Sequence, residues 1–337
     1  MEPKPKSDFT PIETLQMEAL ASRALIEAVR MKLFDELESP KTPTEIATAC
    51  RIAEEGASVV LEMLQERGLI TKTEGAYKNN PLASEFLVSH SPLYQGALLE
   101  VKQSFIELVT SEMGSLLHQP GSLEKQIFQK VPSSLYCESA VQYSIRGSLQ
   151  DLVEVVIKQE GFSDMKLMCD LGGNHGRYSM ALLDQNDHLA SEILELPRVT
   201  PLSKEAIRET GYQERIAVKD FDLKADVLEP GRYDLVLVSH VLQMFADDLG
   251  NTIKKIGRGV KIGGLFVSQN MNPQSTVDPK LRTFNDMMAR LLAHANHYLP
   301  EDVMKTALKK AGFVDIQTQP GGPGGTNLIV VARKRGD

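Results

Sequence analysis

The chain has 337 residues, 42% of them hydrophobic and 24% charged, enough to bury a sizeable core and to fill more than one domain. Its 45 acidic and 37 basic side chains leave a net charge of −8, which argues against nucleic acid or an anionic membrane as the main partner and for a small ligand. No apolar run suits a membrane span or a signal peptide, and Cys50, Cys137 and Cys169 fall in neither a disulfide nor a metal-ligand spacing, so a cytoplasmic protein is expected.

From Ile12 to Leu37 apolar residues (Leu15, Leu20, Leu25, Ala28, Val29, Leu33) recur at helical spacing. Thr42-Pro43-Thr44-Glu45 opens a second helix with a capping threonine and an early acid, and Glu55 to Arg67 forms a third with Val59, Val60, Leu61, Met63 and Leu64 on its apolar face. Leu69 to Lys72 and Ala76 to Lys78, joined at Glu74-Gly75, read as a hairpin that completes a winged helix-turn-helix. The would-be recognition helix carries Glu54, Glu55, Glu62 and Glu66 against Arg51 and Arg67, the reverse of what phosphate contacts need. It is therefore read as a dimerisation or substrate-lid module. From Pro92 to Glu160 helical segments are broken at Pro120-Gly121 and Val131-Pro132, and form a connector able to wall a pocket. The expected domains are residues 1–100, the connector 101–160, and 161–337.

From Lys166 the pattern alternates between strand and helix, with strands expected at 166–171, 191–196, 215–219, 233–239, 265–269, 314–319 and 327–333. That rhythm predicts a doubly wound, mostly parallel, Rossmann-like α/β sheet. The last two strands are joined by PGGPGGT, too short for a crossover helix, so they should be antiparallel neighbours.

In such a sheet, ligands sit at the carboxyl ends of the strands near the switch point. The run KLMCDLGGNHG, Lys166 to Gly176, ends a strand at Asp170 and turns through Gly172, Gly173 and Gly176, where a backbone can approach a nucleotide-like ligand. It departs from the dinucleotide fingerprint, because Leu171 stands where the first glycine would be. Asp170 repels a pyrophosphate but suits a ligand with a cationic centre and an ammonium group, and S-adenosylmethionine (SAM) is the candidate. Glu195, with Leu196 beside it, is placed to take both hydroxyls of a ribose. Asp220 can accept from an adenine amino group while Phe221 stacks on the base, and Ser239 and His240 face the reactive part of the ligand.

On these residues the chain resembles the plant-type O-methyltransferase family, which includes the caffeate and acetylserotonin enzymes. The likeness runs from the winged helix (TPTEIATACRIAEEGASVVLEMLQERGLITKTEGAYKNNPLASEFL) through DLGGNHG, ELPRV and KDF to LKKAGF, nearly the whole chain. It implies a class I methyltransferase domain that takes SAM and releases S-adenosylhomocysteine (SAH), and an N-terminal domain that pairs two chains in an intertwined homodimer. It also implies Gly172 as the SAM-turn glycine, Glu195 as the ribose acid and Asp220 with Phe221 as adenine contacts, with Ser239 where plant members often have lysine.

The family's catalytic run, Leu-His-Asp-Trp-x-Asp, reads here Leu242-Gln243-Met244-Phe245-Ala246-Asp247. The base histidine has become Gln243, and the positions of its two flanking glutamates hold Tyr298 and Val330. An amide orients but cannot take a proton. The acceptor is then expected to arrive ionised, or to be an activated ring carbon, or to use another base, for which His240 is the first candidate and His294 and His297, near Tyr298, are others. Tyr143, Met244, Phe284, Met288 and His294 are the expected pocket walls. No third ligand has motif spacing with His294 and His297, so no metal is expected. The expected function is SAM-dependent methylation, most simply at oxygen, of a small, largely apolar, aromatic substrate. The alternatives are C-methylation or a non-methylating SAM reaction on the same scaffold, and a non-enzymatic SAM- or SAH-binding regulator.

Overall fold

The computed structural model of the chain describes residues 4–123, 131–292 and 298–336. Two compact units divide between Ser104 and Phe105. The first holds helices α1 (Thr10–Arg30), α2 (Leu33–Glu36), α3 (Pro43–Cys50) and α4 (Glu54–Glu66), the hairpin β1 (Ile70–Thr73) and β2 (Ala76–Asn79), and α5 (Pro81–Phe86), and α6 (Gly96–Ser111) spans the division. Thr42 caps α3 in a reciprocal box, its hydroxyl accepting from the Glu45 N–H while the Glu45 carboxylate accepts from the Thr42 N–H at 2.7 Å.

The single helix expected from Ile12 to Leu37 is broken. α1 ends at Arg30 and Lys32 takes a left-handed φ of 55°, which turns the chain so that Leu33, Phe34 and Leu37 are fully buried. Burial of these three side chains, on the order of 1.5–3 kcal/mol each, outweighs the roughly 1–2 kcal/mol of left-handed strain at one residue. The first half of α1 does the opposite, leaving Leu15 69% and Leu20 67% exposed.

The second unit is built on a seven-stranded sheet in the order β5-β4-β3-β6-β7-β9-β8. Its strands are β3 (Leu167–Leu171), β4 (Ala190–Glu195), β5 (Ile216–Asp220), β6 (Tyr233–Ser239), β7 (Val260–Met271), β8 (Phe313–Gly321) and β9 (Asn327–Lys334). All neighbouring pairs are parallel except those of β9, which runs antiparallel to β7 and, as the short PGGPGGT connection requires, to β8. The helices of this unit are α7 (Met113–His118), α8 (Ser133–Ser144), α9 (Ser148–Ile157), α10 (Arg177–Leu183), α11 (Thr200–Thr210), α12 (Leu249–Gly259), α13 (Pro279–Leu291) and α14 (Glu301–Lys310).

Both faces of the sheet are covered, so its strands read as near-continuous apolar runs. Leu235, Leu237 and Val267 point to one face, with Leu152, Val156 and Leu182 from the flanking helices, whereas Val236, Val238 and Phe266 point to the other, with Ile253, Ile256 and Leu308. The connections from β3 through β4 to β5 run one way and those from β6 to β7 the other, so the switch point lies between the ends of β3 and β6. Among the described residues no helix is long and apolar enough to cross a membrane.

Candidate functional site

Asp170 is the penultimate residue of strand β3, and the chain then bends through Gly172 at φ 73° and Asn174 at φ 42° to Gly176, which caps α10. A Cβ on Gly172 would lie 2.6 Å from the Val241 side chain at the end of β6, and one on Gly173 would lie 2.5 Å from the Asp170 carboxyl carbon. Glycine at these two positions therefore lets the turn close both on the neighbouring strand end and over its own carboxyl.

That carboxyl is buried, with 2% of the residue exposed. It accepts from the hydroxyl of Ser179 at 2.8 Å and from the backbone N–H of the same residue, and no cation touches it among the described residues. Burial pushes the Asp170 carboxyl up to about 7, with repulsion from Glu195 adding to it and the Ser179 bond opposing it. Glu195 ends β4 and is also buried, its two oxygens accepting from the backbone N–H groups of Leu196 at 2.8 Å and Asn174 at 3.2 Å. Burial raises it too, with those two bonds and the Arg198 charge working the other way. Glu195 pairs in register with the exposed Asp220 at the end of β5, and Phe221 donates its N–H to the Glu195 carbonyl at 2.8 Å. The glycine turn, Glu195, Leu196, Asp220 and Phe221 thus share one edge of the sheet.

At the end of β6, His240 takes a left-handed φ of 54°, and its N–H donates to the Gln269 carbonyl at 2.7 Å. This twist brings its ring beside Tyr143, edge to face at 5.8 Å between centroids, with Nε2 3.4 Å from the Gln269 amide nitrogen. Gln269 in turn donates to the Tyr178 hydroxyl at 2.9 Å, and Ser239 bonds that same hydroxyl. Burial pushes the His240 imidazole down to about 4, so the ring is neutral at pH 7. Gln243, three residues on in the 3-10 segment Leu242–Asp248, donates its amide to the His240 carbonyl at 2.6 Å. The side-chain oxygens of Gln243 and Gln269 are buried and unpaired among the described residues.

The remaining sites expected from the sequence fall into different surroundings. Tyr298 forms an isolated bridge to Met271 at the end of β7. Met288 packs against the cluster of Leu108, Leu291 and Leu292, but Met244 and Phe284 are 60% and 52% exposed. His294 and His297 lie outside the described residues. His175 accepts the Arg177 N–H on Nδ1 at 3.1 Å and is pushed down to about 4 by burial and by the Arg177 charge. Three neighbours of His240 went unnoticed in the sequence: Tyr178, Gln269 and, behind Tyr143, Arg146. Gln269 ends an expected strand and Tyr178 opens the helix after the glycine turn, so position alone could have pointed to these two. Arg146 lies in a helix-to-helix turn and carries no such signal.

Residues 14–89 match the model of an O-methyltransferase dimerisation domain, and residues 126–314 match that of an O-methyltransferase domain. The chain belongs to this O-methyltransferase family. It is 24% identical over 312 residues to L-tyrosine C(3)-methyltransferase of Streptomyces lavendulae, covering 88% of this chain and 84% of that protein. It is 25% identical over 283 residues to the N,N-dimethyltransferase OxyT of Streptomyces rimosus, covering 80% and 79%. The crystal structure of human N-acetylserotonin methyltransferase in complex with SAM has the same fold, with a TM-score of 0.72 at 21% identity over 99% of this chain and 100% of that one. The family uses SAM as methyl donor, and this member is a methyltransferase.

The buried acid has a consequence for stability. A carboxyl whose folded pKa, about 7, lies above its usual 3.8 stabilises the fold only while protonated, so that contribution is lost as pH rises from about 4 through 7. Asp170→Asn should therefore raise the Tm of the ligand-free protein at pH 8 by about 2–4 °C for each kcal/mol recovered, with the gain shrinking toward pH 4. A thermal scan at both pH values checks this, and an equal or lower Tm for the variant at pH 8 would contradict it.

Proposed function

We propose that this protein is a homodimeric methyltransferase that moves the methyl group of SAM to a small, largely apolar, aromatic acceptor by placement, without a general base. The observation that carries the donor half is the pair of buried acids, Asp170 and Glu195, in the glycine turn at the switch point. The first is held at about 7 with no cation beside it among the described residues, which suits an ammonium group, and the second is placed for ribose hydroxyls. Gly172, Gly173 and Gly176 let the backbone approach, Leu196 lies beside the ribose acid, Asp220 and Phe221 take the adenine, and Ser239 lines the methionyl end. When bound, SAM would supply an electrophilic methyl group on a sulfonium, whose sulfur keeps the bonding electron pair as the thioether of SAH, and an acceptor that arrives ionised has no proton to lose.

For the acceptor half, the chain offers orientation rather than basicity. Gln243 occupies the family's base position and is itself held by the His240 carbonyl, and His240, at about 4, is too weak a base to hold a phenol proton at pH 7. Loss of a general base costs roughly a hundredfold to ten-thousandfold, so the account favours an acceptor that arrives ionised, with the Gln243 and Gln269 oxygens orienting it. Tyr143 is the wall nearest His240, with Tyr298, Met288, Met244, Phe284 and His294 further candidates. Transfer to an activated ring carbon is a second reading, favoured by the missing base and by the relative that methylates C(3) of tyrosine.

Incubation with methyl-labelled SAM and a panel of acidic phenols should yield SAH and labelled product in equal amounts. Turnover of an acceptor without SAH would contradict methyl transfer, and the position of the label separates oxygen from carbon. By calorimetry, Glu195→Ala should weaken SAH binding about tenfold or more, and unchanged affinity would remove Glu195 from the ribose.

The exposed Leu15 and Leu20 on α1 lie in the segment that matches the dimerisation domain, and we assign them to the contact with a second copy. Light scattering should give a dimer for the wild type and a monomer for the Leu15→Lys/Leu20→Lys double variant. A wild-type monomer at micromolar concentration would contradict the assignment.

A further inference from the structure

Arg146 follows α8 in the short turn before α9, and its guanidinium lies over the Tyr143 ring at 4.8 Å. Tyr143 in turn meets His240 edge to face, so a continuous stack of cation, phenol and imidazole leads from Arg146 to the switch point. The Arg146 Nε–H is buried and has no hydrogen-bond partner, and no ion pair to Arg146 forms among the described residues. Three other arginines of this unit are satisfied. Arg232 pairs with Glu192 and Glu229, Arg215 donates to the carbonyls of Leu183, Asn186 and Leu189, and Arg333 donates to those of Gly263 and Glu160. A guanidinium withdrawn from water with an open N–H is costly unless an anion completes it, and its planar fork matches a carboxylate. Burial is also the main influence on its acidity, lowering the Arg146 pKa while Tyr143 works the other way.

We propose that Arg146 is a carboxylate-binding residue of the methyl-transfer site, a role that rests on the SAM-dependent reading above. Two carboxylates can reach such a site, that of the donor's amino-acid tail and that of an aromatic acid serving as acceptor. The unpaired oxygens of Gln243 and Gln269 beside His240 complement it, since a ligand with a carboxylate for Arg146 and an N–H or O–H for these amides would leave none of the three unsatisfied.

Calorimetry on the full-length protein separates the two sources. One arm compares SAH with its decarboxylated analogue, and the other compares 4-hydroxybenzoate with 4-hydroxybenzamide on the SAH-loaded protein. The wild type should prefer the carboxylate about 10- to 100-fold in at least one arm, Arg146→Gln should erase that preference, and Arg146→Lys should keep part of it. The arm that responds identifies the carboxylate. Because Arg146 has no anionic partner among the described residues, Arg146→Gln should lower the Tm of the ligand-free protein by no more than the loss of its contact with the Tyr143 ring, about 2–4 °C, whereas a structural ion pair would cost more. A wild type with no carboxylate preference in either arm, or an Arg146→Gln variant that retains the preference, overturns the proposal. Failure of the wild type to bind SAH at all would instead overturn the donor reading.

Discussion

Everything at the switch point depends on one uncompensated carboxyl. Asp170 lies under a turn so tight that Gly173 has no room for a Cβ above it, and its hydrogen bonds from Ser179 do not offset the loss of water. A protein does not hold a carboxyl near 7 for stability, since leaving it charged destabilises the ligand-free fold at neutral pH. The arrangement makes sense as a seat for a cation, and the neighbouring strand ends supply what a nucleoside attached to that cation would need. The glycine turn, Glu195 and Asp220 stand in consecutive positions along one sheet edge because β3, β4 and β5 are parallel neighbours in register.

On the far side of the switch point the polar groups are of another kind. His240, Gln243, Gln269, Tyr178 and Tyr143 form a neutral network, and its one charge is Arg146. Such a network can position and desolvate an acceptor but has no group with a pKa suited to removing a proton near pH 7. The proposed division of labour is acids toward the donor, neutral amides toward the acceptor, and Arg146 for the carboxylate that the site takes. Membership of the O-methyltransferase family settles the scaffold and the donor, whereas the acceptor side has to be read from the residues present in this chain.

Much of this was legible in the sequence, for identifiable reasons. Strands β3 to β9 announce themselves as apolar runs with glycine or an acid at their ends, because a sheet covered on both faces leaves little choice of side chain. The capping box at Thr42 and the short PGGPGGT connection each admit one local outcome. Features that depend on long-range packing were hidden. The break of α1 at Arg30 follows from the core drawing in Leu33 and Phe34 against the helical pattern. The left-handed His240 is set by its bond to Gln269, 29 residues away in the chain. The Arg146–Tyr143 stack joins a helix-end turn to a strand end nearly a hundred residues distant, and no spacing rule encodes such a meeting. Phe284, expected as a pocket wall, is exposed, since periodicity says which residues share a face but not what that face meets.

The central claim is that Asp170 waits for the cationic part of the donor. A cation beside it must favour the ionised carboxyl and drive its pKa down from about 7, so binding near pH 7 must expel protons. Calorimetry of SAM binding in two buffers of different ionisation enthalpy measures this directly. The account predicts net proton release at pH 7 that disappears in Asp170→Asn, and binding with no proton release, or with the same release in that variant, would contradict it.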